Sequence, residues 1–207
     1  MKKYILVLLA FGFPPMSAAV VADTVNPSVV KLATQVCSLC HGVGGRSIAP
    51  TFPLLAGQTA PYIETQLNAF KNQTRKDPDA EAFMWGMASQ LDQDTIKGLA
   101  AFYSMQKARP SGKGDPELTA KGRTIYYQGI GSAKIPPCVT CHGQDAQGKG
   151  EFPRLAGQHA AYLVKQLQAF STGLRSSPIM QPVTRGLTDD DMLAVATFLK
   201  GFSSDSP

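Results

Sequence analysis

The chain lacks a strong excess of charge of either sign, with 20 basic and 15 acidic side chains among 207 residues. So small an excess, with no stripe of lysine and arginine between aromatic residues, argues against nucleic acid as a partner. The first basic cluster (Lys71, Arg75 and Lys76) is expected at a solvent-exposed helix end. A second long apolar run is also missing, so no segment beyond the N-terminus is expected to span a membrane. Peripheral association with a membrane stays open.

The single long apolar run lies at the N-terminus. A short basic region ending at Lys3 precedes apolar residues 4–13 and small residues 17–22, which is the order of a secretory signal peptide. Residues 1–22 are therefore predicted to be removed by cleavage after Ala22, with Ala19 as a second choice. The mature protein is expected to be exported.

Cysteine and histidine are scarce. All four cysteines and two of the three histidines fall in Cys37–His41 (CSLCH) and Cys138–His142 (CVTCH). Zinc needs four ligands per site, and each segment offers three. A thioredoxin-like pair expects alternating strands and helices, which are missing, and a disulfide would not explain the histidine. Covalent haem c uses all three residues, because two thiols bond the haem vinyl groups and the imidazole reaches the iron. The segments predict two covalently bound haem c groups.

Both segments belong to a repeat that covers the chain. FPLLAGQ at residues 52–58 returns as FPRLAGQ at residues 152–158, and the helix pattern of residues 62–70 returns at 162–170. The chain is therefore predicted to be a tandem duplication with a hinge at residues 108–114. The predicted domains are 23–110 and 111–207. Each is small for an apolar core alone, and a bound haem would add to that core.

The repeated patterns are helical. Asn26 and Asp115 each precede a proline in the way of a helix N-cap, Asp92 is a third N-cap, and Thr188 opens a pattern resembling a capping box. Residues 124–128 are compatible with a strand, for which the sequence offers no partner. The sequence predicts an all-α protein.

The second axial ligand of each iron is expected to be methionine, whose soft thioether binds haem iron. His159 has a threonine at its counterpart in the first copy and is expected at a helix surface. Met84 and Met180 lie at the same distance before a leucine that is matched between the copies, which favours them over Met87. Met192 is expected in the core.

The two halves contain matching motifs in the same order: CSLCHG, FPLLAGQ, YIETQL and FMWGMASQLDQD in the first, then CVTCHG, FPRLAGQ, YLVKQL and IMQPVTRGLTDDD in the second. This ordered set, present twice, resembles the dihaem cytochrome c4 family. The resemblance implies two tandem class I cytochrome c domains related by pseudo-twofold symmetry. It also implies eight haem-binding and iron-ligating residues, namely Cys37, Cys40, Cys138, Cys141, His41, Met84, His142 and Met180. The carbonyl that orients the first histidine is left open between Pro50 and Pro53.

The resemblance implies a periplasmic electron carrier, not an enzyme, that moves electrons from a redox protein to a terminal oxidase or another acceptor. An alternative is the dihaem electron-accepting subunit of a dehydrogenase, such as flavocytochrome c sulfide dehydrogenase. A peroxidase would need an open iron and a distal acid–base group, and no matched histidine is left for that role. Trp85 follows one predicted ligand and Gln181 the other. The two potentials are therefore expected to differ, with the first higher if burial dominates.

Overall fold

The computed structural model describes residues 25–202, so the predicted signal peptide lies outside the described residues. The helices of the first half are α1 (Pro27–Leu32), α2 (Ser38–His41), α3 (Ala60–Lys71), α4 (Trp85–Ser89) and α5 (Gln93–Ser104). Wider π-helical turns at Ala33–Cys37 and Ala80–Met84 lead directly into α2 and α4. The first cysteine cluster and Met84 therefore lie within continuous helical stretches.

The second half repeats this order with α6 (Pro116–Gln128), α7 (Val139–His142), α8 (Ala160–Thr172), α9 (Met180–Thr184) and α10 (Asp189–Gly201). The strand considered for residues 124–128 is wrong. These residues complete α6, where Ile125 and Tyr126 are buried against the core, so tertiary packing overrides their local strand propensity. Across residues 25–202, β-structure is limited to two single bridges. The all-α prediction is confirmed.

Side-chain caps begin several helices where the sequence predicted them. Asn26, Asp92 and Asp115 each accept a hydrogen bond from a backbone N–H in the first turn of the helix that follows. Thr188 forms a capping box at the start of α10. Each cap satisfies an N–H that the helix itself leaves without a partner. Local sequence therefore sets these helix starts.

Each half builds its core where its last helix packs against two earlier helices. Helix α5 packs against α1 and α3, and α10 packs against α6 and α8. Gly122 permits the close approach of α6 to α10, because a Cβ there would overlap the carbonyl of Ala194. Gly98 serves the first half in the same way, since a Cβ would lie 2.8 Å from the Val29 side chain.

Residues 107–115 connect the halves without regular secondary structure. Ser111 anchors this segment to the second half, donating from its backbone N–H to the Lys200 carbonyl at 3.2 Å and from its hydroxyl to the Gln158 carbonyl at 3.1 Å. The predicted hinge lies within this segment. The domain boundary at residue 110 stays a prediction.

Two glutamines join the halves through the same bonds in both directions. The backbone N–H of Leu54 donates to Gln158 Oε1 at 2.9 Å, and Gln158 Nε2 donates back to the Leu54 carbonyl at 2.9 Å. The N–H of Arg154 donates to Gln58 Oε1 at 2.7 Å, and Gln58 Nε2 donates to the Arg154 carbonyl at 3.0 Å. These are equivalent positions of the repeat, so the contact has the reciprocal pattern of a twofold interface.

His159 lies in this interface and not at the surface, so the sequence expectation is wrong. Its side chain is buried, and Nε2 lies 3.0 Å from the Ser47 carbonyl oxygen of the first half. The residue is the N-cap of α8, which begins at the boundary between the halves. Thr59, its counterpart, donates its hydroxyl to the Gly150 carbonyl at 2.6 Å. Both positions therefore bind the other half, although with different chemistry.

Candidate functional site

Each Cys-x-x-Cys-His segment forms a helical turn that ends at glycine. Gly42 and Gly143 stop α2 and α7 with φ values of 73° and 86°, a region that glycine enters without a Cβ penalty. Residues three apart on a helix share a face, so the two thiols of each segment lie on one side and the histidine follows directly.

A single cavity of about 930 Å³ joins both segments. It is lined mainly by apolar side chains and crosses from one half to the other. Its walls contain all eight residues predicted to bind haem: Cys37, Cys40, His41, Met84, Cys138, Cys141, His142 and Met180. The fold therefore brings both predicted sites onto one cavity.

A proline carbonyl orients the histidine of each segment. His41 Nδ1 lies 2.9 Å from the Pro53 oxygen, and His142 Nδ1 lies 3.0 Å from the Pro153 oxygen. The choice that the sequence left open falls on Pro53. Burial lowers the pKa of both histidines, and the hydrogen bond to the carbonyl offsets this only in part. Each imidazole is therefore neutral, with Nδ1 donating and the Nε2 lone pair available to a metal.

The thiols do not have the character of a redox-active pair. Burial raises the pKa of Cys138 to about 11 and also raises the pKa of Cys37. A catalytic dithiol needs a lowered pKa to form the thiolate. Within the described residues no three His, Cys, Asp or Glu side chains form a group that could hold a metal ion by themselves.

The predicted methionine ligands occupy matching places before the last helix of each half. Met84 ends the π-helical turn that leads into α4, and Met180 begins α9, where its N–H donates to Ser177 Oγ at 3.0 Å. Met87 also lines the cavity and is 47% exposed. Met192 is buried in the core, as expected. Met84 and Met180 stay the predicted ligands.

These donors fit a covalently bound haem. Each half offers two thiols for thioether bonds, a neutral imidazole nitrogen and a thioether sulfur around apolar walls. Phe52 and Phe152 pack edge-on against the rings of His41 and His142, with centroids 6.2 and 6.3 Å apart. When bound, each haem supplies iron that cycles between ferric and ferrous states. The predicted site residues of the chain would attach it and hold its iron.

Two buried arginines lie between the sites and also line the cavity. Arg75 donates to Gln66 Oε1 at 2.9 Å and to Gln166 Oε1 at 2.8 Å, and Arg175 donates to the same two oxygens at 2.8 Å each. Each arginine is 7% exposed. The expectation of a solvated Arg75 is therefore wrong, because the chain turns back into the interface after α3, whereas Lys76 is exposed.

One carboxylate in the first half accompanies these two cations. Asp77 is 3% exposed, and its Oδ2 lies 2.7 Å from Arg75 Nε. Burial disfavours the carboxylate, but the hydrogen bond and charge of Arg75, together with the charge of Arg175 and a hydrogen bond from Gln166, outweigh it and lower the pKa of Asp77. The repeat places Ser177 at the equivalent position, where the hydroxyl accepts from Met180 N–H.

Sequence reasoning missed the roles of Gln58, Gln158, Arg75 and Arg175. The signal was present, because these polar residues stand at the same repeat positions in both halves without capping a helix or belonging to a cysteine segment. A polar residue that occurs at the same repeat position in both copies, with no local role, is a candidate for the interface between the copies.

Comparisons with known proteins agree with this geometry. The family model for cytochrome c matches residues 29–104 and 119–203. Cytochrome c-552 of Acidithiobacillus ferridurans is 38% identical over 88% of this chain and 80% of its own length. Cytochrome c4 of Thiocapsa roseopersicina is 38% identical over 83% of this chain and 89% of its own length. The thiosulfate dehydrogenase electron acceptor of Thiomonas intermedia is 39% identical over 79% and 76%.

Solved structures agree as well. The cytochrome c4 of Acidithiobacillus ferrooxidans superposes with a TM-score of 0.77 at 39% identity, covering 80% of this chain and 98% of that one. Reduced cytochrome c4 of Pseudomonas stutzeri gives a TM-score of 0.75 at 32% identity, covering 87% and 100%. With two cytochrome c halves, two haem c groups and these relatives along most of its length, the chain belongs to the dihaem cytochrome c4 family of electron carriers.

Proposed function

We propose that this cytochrome carries electrons in the periplasm between respiratory redox proteins, with a terminal oxidase as the acceptor. The observation that supports it most directly is that two complete sets of predicted haem-binding residues line one cavity. Two redox centres on one cavity would provide a short path for electrons, or would store two electrons. The protein sets their potential and access.

The residues divide into three roles in this proposal. Cys37, Cys40, Cys138 and Cys141 attach the haems. His41 and Met84 would be the two protein ligands of one iron, and His142 and Met180 those of the other. All four residues line the cavity. Pro53 and Pro153 hold the histidines through their carbonyls, at 2.9 and 3.0 Å. An iron held by both a histidine and a methionine would have no place for a substrate, which argues against peroxidase chemistry.

A second candidate is an electron-accepting partner of a dehydrogenase. The relative from Thiomonas intermedia, named a thiosulfate dehydrogenase electron acceptor, supports it, because it is 39% identical over 79% of this chain. Purification of the protein from the native membrane and periplasm distinguishes the two candidate functions. A dehydrogenase chain that purifies in the same complex would favour the role as a dehydrogenase partner. Reduction of a terminal oxidase by the protein, with no dehydrogenase chain bound, would favour the role as a carrier to the oxidase.

Haem stoichiometry and ligation test the proposal together. The mature protein should retain two haems after acid–acetone extraction, and the double variant Cys138→Ala/Cys141→Ala should retain one. The reduced protein should bind carbon monoxide slowly, because each iron would be held by both a histidine and a methionine of the chain. One haem, or rapid binding at either iron, would contradict the proposal. N-terminal sequencing of the periplasmic fraction should begin at Asp23.

Between residues 25 and 202 no helix is both long and apolar enough to cross a membrane. Peripheral contact with a membrane-bound oxidase is part of the proposal. Flotation of the protein with lipid vesicles, with and without the oxidase, measures this peripheral association.

A further inference from the structure

The turn at the end of the first cysteine segment exposes three large apolar residues, which together form the apolar loop. Leu39, Val43 and Ile48 are 81%, 78% and 95% exposed, whereas no large apolar residue between 115 and 202 is more than 50% exposed. None of the three lines the cavity that contains the predicted haem-binding residues. A haem in that cavity would therefore leave the apolar loop uncovered.

The apolar loop is compact because Gly42 lets the chain fold back on itself. A Cβ at Gly42 would overlap the carbonyl of Arg46, and the N–H of Arg46 donates to the Val43 carbonyl at 3.3 Å. Leu39 precedes this turn and Ile48 follows it. The three apolar side chains therefore project from one short, tightly turned stretch of chain.

The matching turn of the second half is polar. Thr140 and Gln144 stand where the first half has Leu39 and Val43, and both are exposed. Asp145, also exposed, places a negative charge beside that turn. Because the same turn forms with polar side chains, the fold does not require the apolar loop, and its exposed residues need another explanation.

The chain around the apolar loop carries positive charge without negative charge. Residues 25–63 contain the loop, and residues 95–114 include the chain packed beside it; neither segment has an aspartate or a glutamate. Arg46 lies within the loop, and its Nε donates to the Lys107 carbonyl at 3.2 Å, which holds the exposed Lys107 next to it. An occupant of this face should therefore carry negative charge and offer apolar groups.

We propose that the apolar loop inserts into the surface of a membrane that contains anionic lipids, with the first half of the cytochrome facing that membrane. Exposed aliphatic side chains enter the boundary between headgroups and acyl chains, and neighbouring lysine and arginine side chains bind anionic headgroups. A protein-docking face would be expected to include aromatic side chains, whereas Leu39, Val43 and Ile48 are all branched aliphatic residues. The inference deepens the proposed carrier function, on which it rests only for the location of the protein beside a membrane.

Flotation of the purified, haem-loaded protein with lipid vesicles, in the absence of any oxidase, tests the inference. The protein should float with vesicles that contain phosphatidylglycerol, and much less with phosphatidylcholine alone or at about 1 M salt. Leu39→Thr/Val43→Gln, which gives the first turn the residues of the second, should weaken vesicle binding about tenfold or more, because two aliphatic side chains no longer enter the lipid. Lys107→Glu should weaken it about tenfold as well.

The matched controls lie in the second half. Leu174→Thr removes an apolar residue that is 49% exposed. Lys149→Glu changes the net charge by the same amount as Lys107→Glu, also at an exposed position. Both controls should leave vesicle binding unchanged, because neither residue belongs to the apolar loop or to the chain beside it.

Absence of flotation with anionic vesicles, or equal flotation of the native protein and Leu39→Thr/Val43→Gln, overturns the inference. If that double variant does not acquire two haems, Ile48→Ser, which lies outside the cysteine segment, decides in the same assay. A dimer in solution that the double variant dissociates would mean that a second copy covers the loop, and this also overturns the inference. Loss of oxidase reduction in the double variant, with no vesicle binding by the native protein, would assign the face to a protein partner instead. Oxidase reduction in solution is measured separately, so failure of the carrier function and failure of membrane insertion are distinguishable.

Discussion

Replacing Gln158 with alanine should disturb the first haem site more than the second, although Gln158 belongs to the second half. Gln158 binds both backbone groups of Leu54, each at 2.9 Å. Leu54 directly follows Pro53, whose carbonyl holds His41. Loss of the amide therefore frees the loop that orients the first histidine.

The stability cost follows from the bonds removed. Gln158 makes two bonds to Leu54, and its Oε1 also accepts from the His159 N–H at 3.0 Å. A typical bond contributes about 1 kcal/mol net, so Gln158→Ala should lower the free energy of unfolding by about 3 kcal/mol. Gln58→Ala should cost about as much and shift the second haem, since Gln58 binds Arg154 next to Pro153.

Guanidinium denaturation and redox titration of both variants provide the measurement, with the exposed Gln90→Ala as control. The control should change neither the free energy of unfolding nor the two haem potentials. A cost below about 0.5 kcal/mol, less than one typical bond, would refute the bracing role of Gln158. A potential shift confined to the second haem would refute it as well.

Two further predictions concern ligation and pH. Met84→Ala should remove one methionine–iron band and open that iron to carbon monoxide, whereas Met87→Ala should leave both bands; the reverse result would move the ligand to Met87. Burial lowers the pKa of His159, with the Ser47 carbonyl opposing it in part and the charge of Lys200 adding to it. Unfolding therefore takes up a proton, so stability should fall as pH drops below about 6.5. His159→Gln, which can still donate to the Ser47 carbonyl, should weaken that fall when melting temperatures are compared at about pH 5 and pH 8.

Local signals made much of the fold predictable. The caps at Asn26, Asp115 and Thr188 depend on residues within one helical turn, so the sequence contains the full cause of each helix start. The cysteine segments and the repeat could also be recognised directly from the sequence. Residues 124–128 misled because their β-branched and aromatic side chains suit a strand in isolation, whereas the fold uses them as the buried face of α6.

The residues that escaped prediction have distant partners. His159 binds Ser47, 112 residues earlier in the chain, and Arg175 binds Gln66, 109 residues earlier. A basic or polar residue near a helix end looks solvated until the opposite half of the molecule is placed against it. The choice of Pro53 over Pro50 likewise depended on the path of a loop, which composition does not determine.

The reciprocal glutamine contacts are those that two identical chains would form around a dyad. A single-haem ancestor with this face would have paired with itself, and its pairing would have weakened on dilution. Joining the copies through residues 107–115 makes the encounter intramolecular, so it no longer depends on concentration. Fusion also frees each position from serving both sides of the dyad at once, since a mutation now alters one copy and not its mate. An aspartate in one copy and a serine in the other is a pairing that no symmetric dimer of identical chains can have.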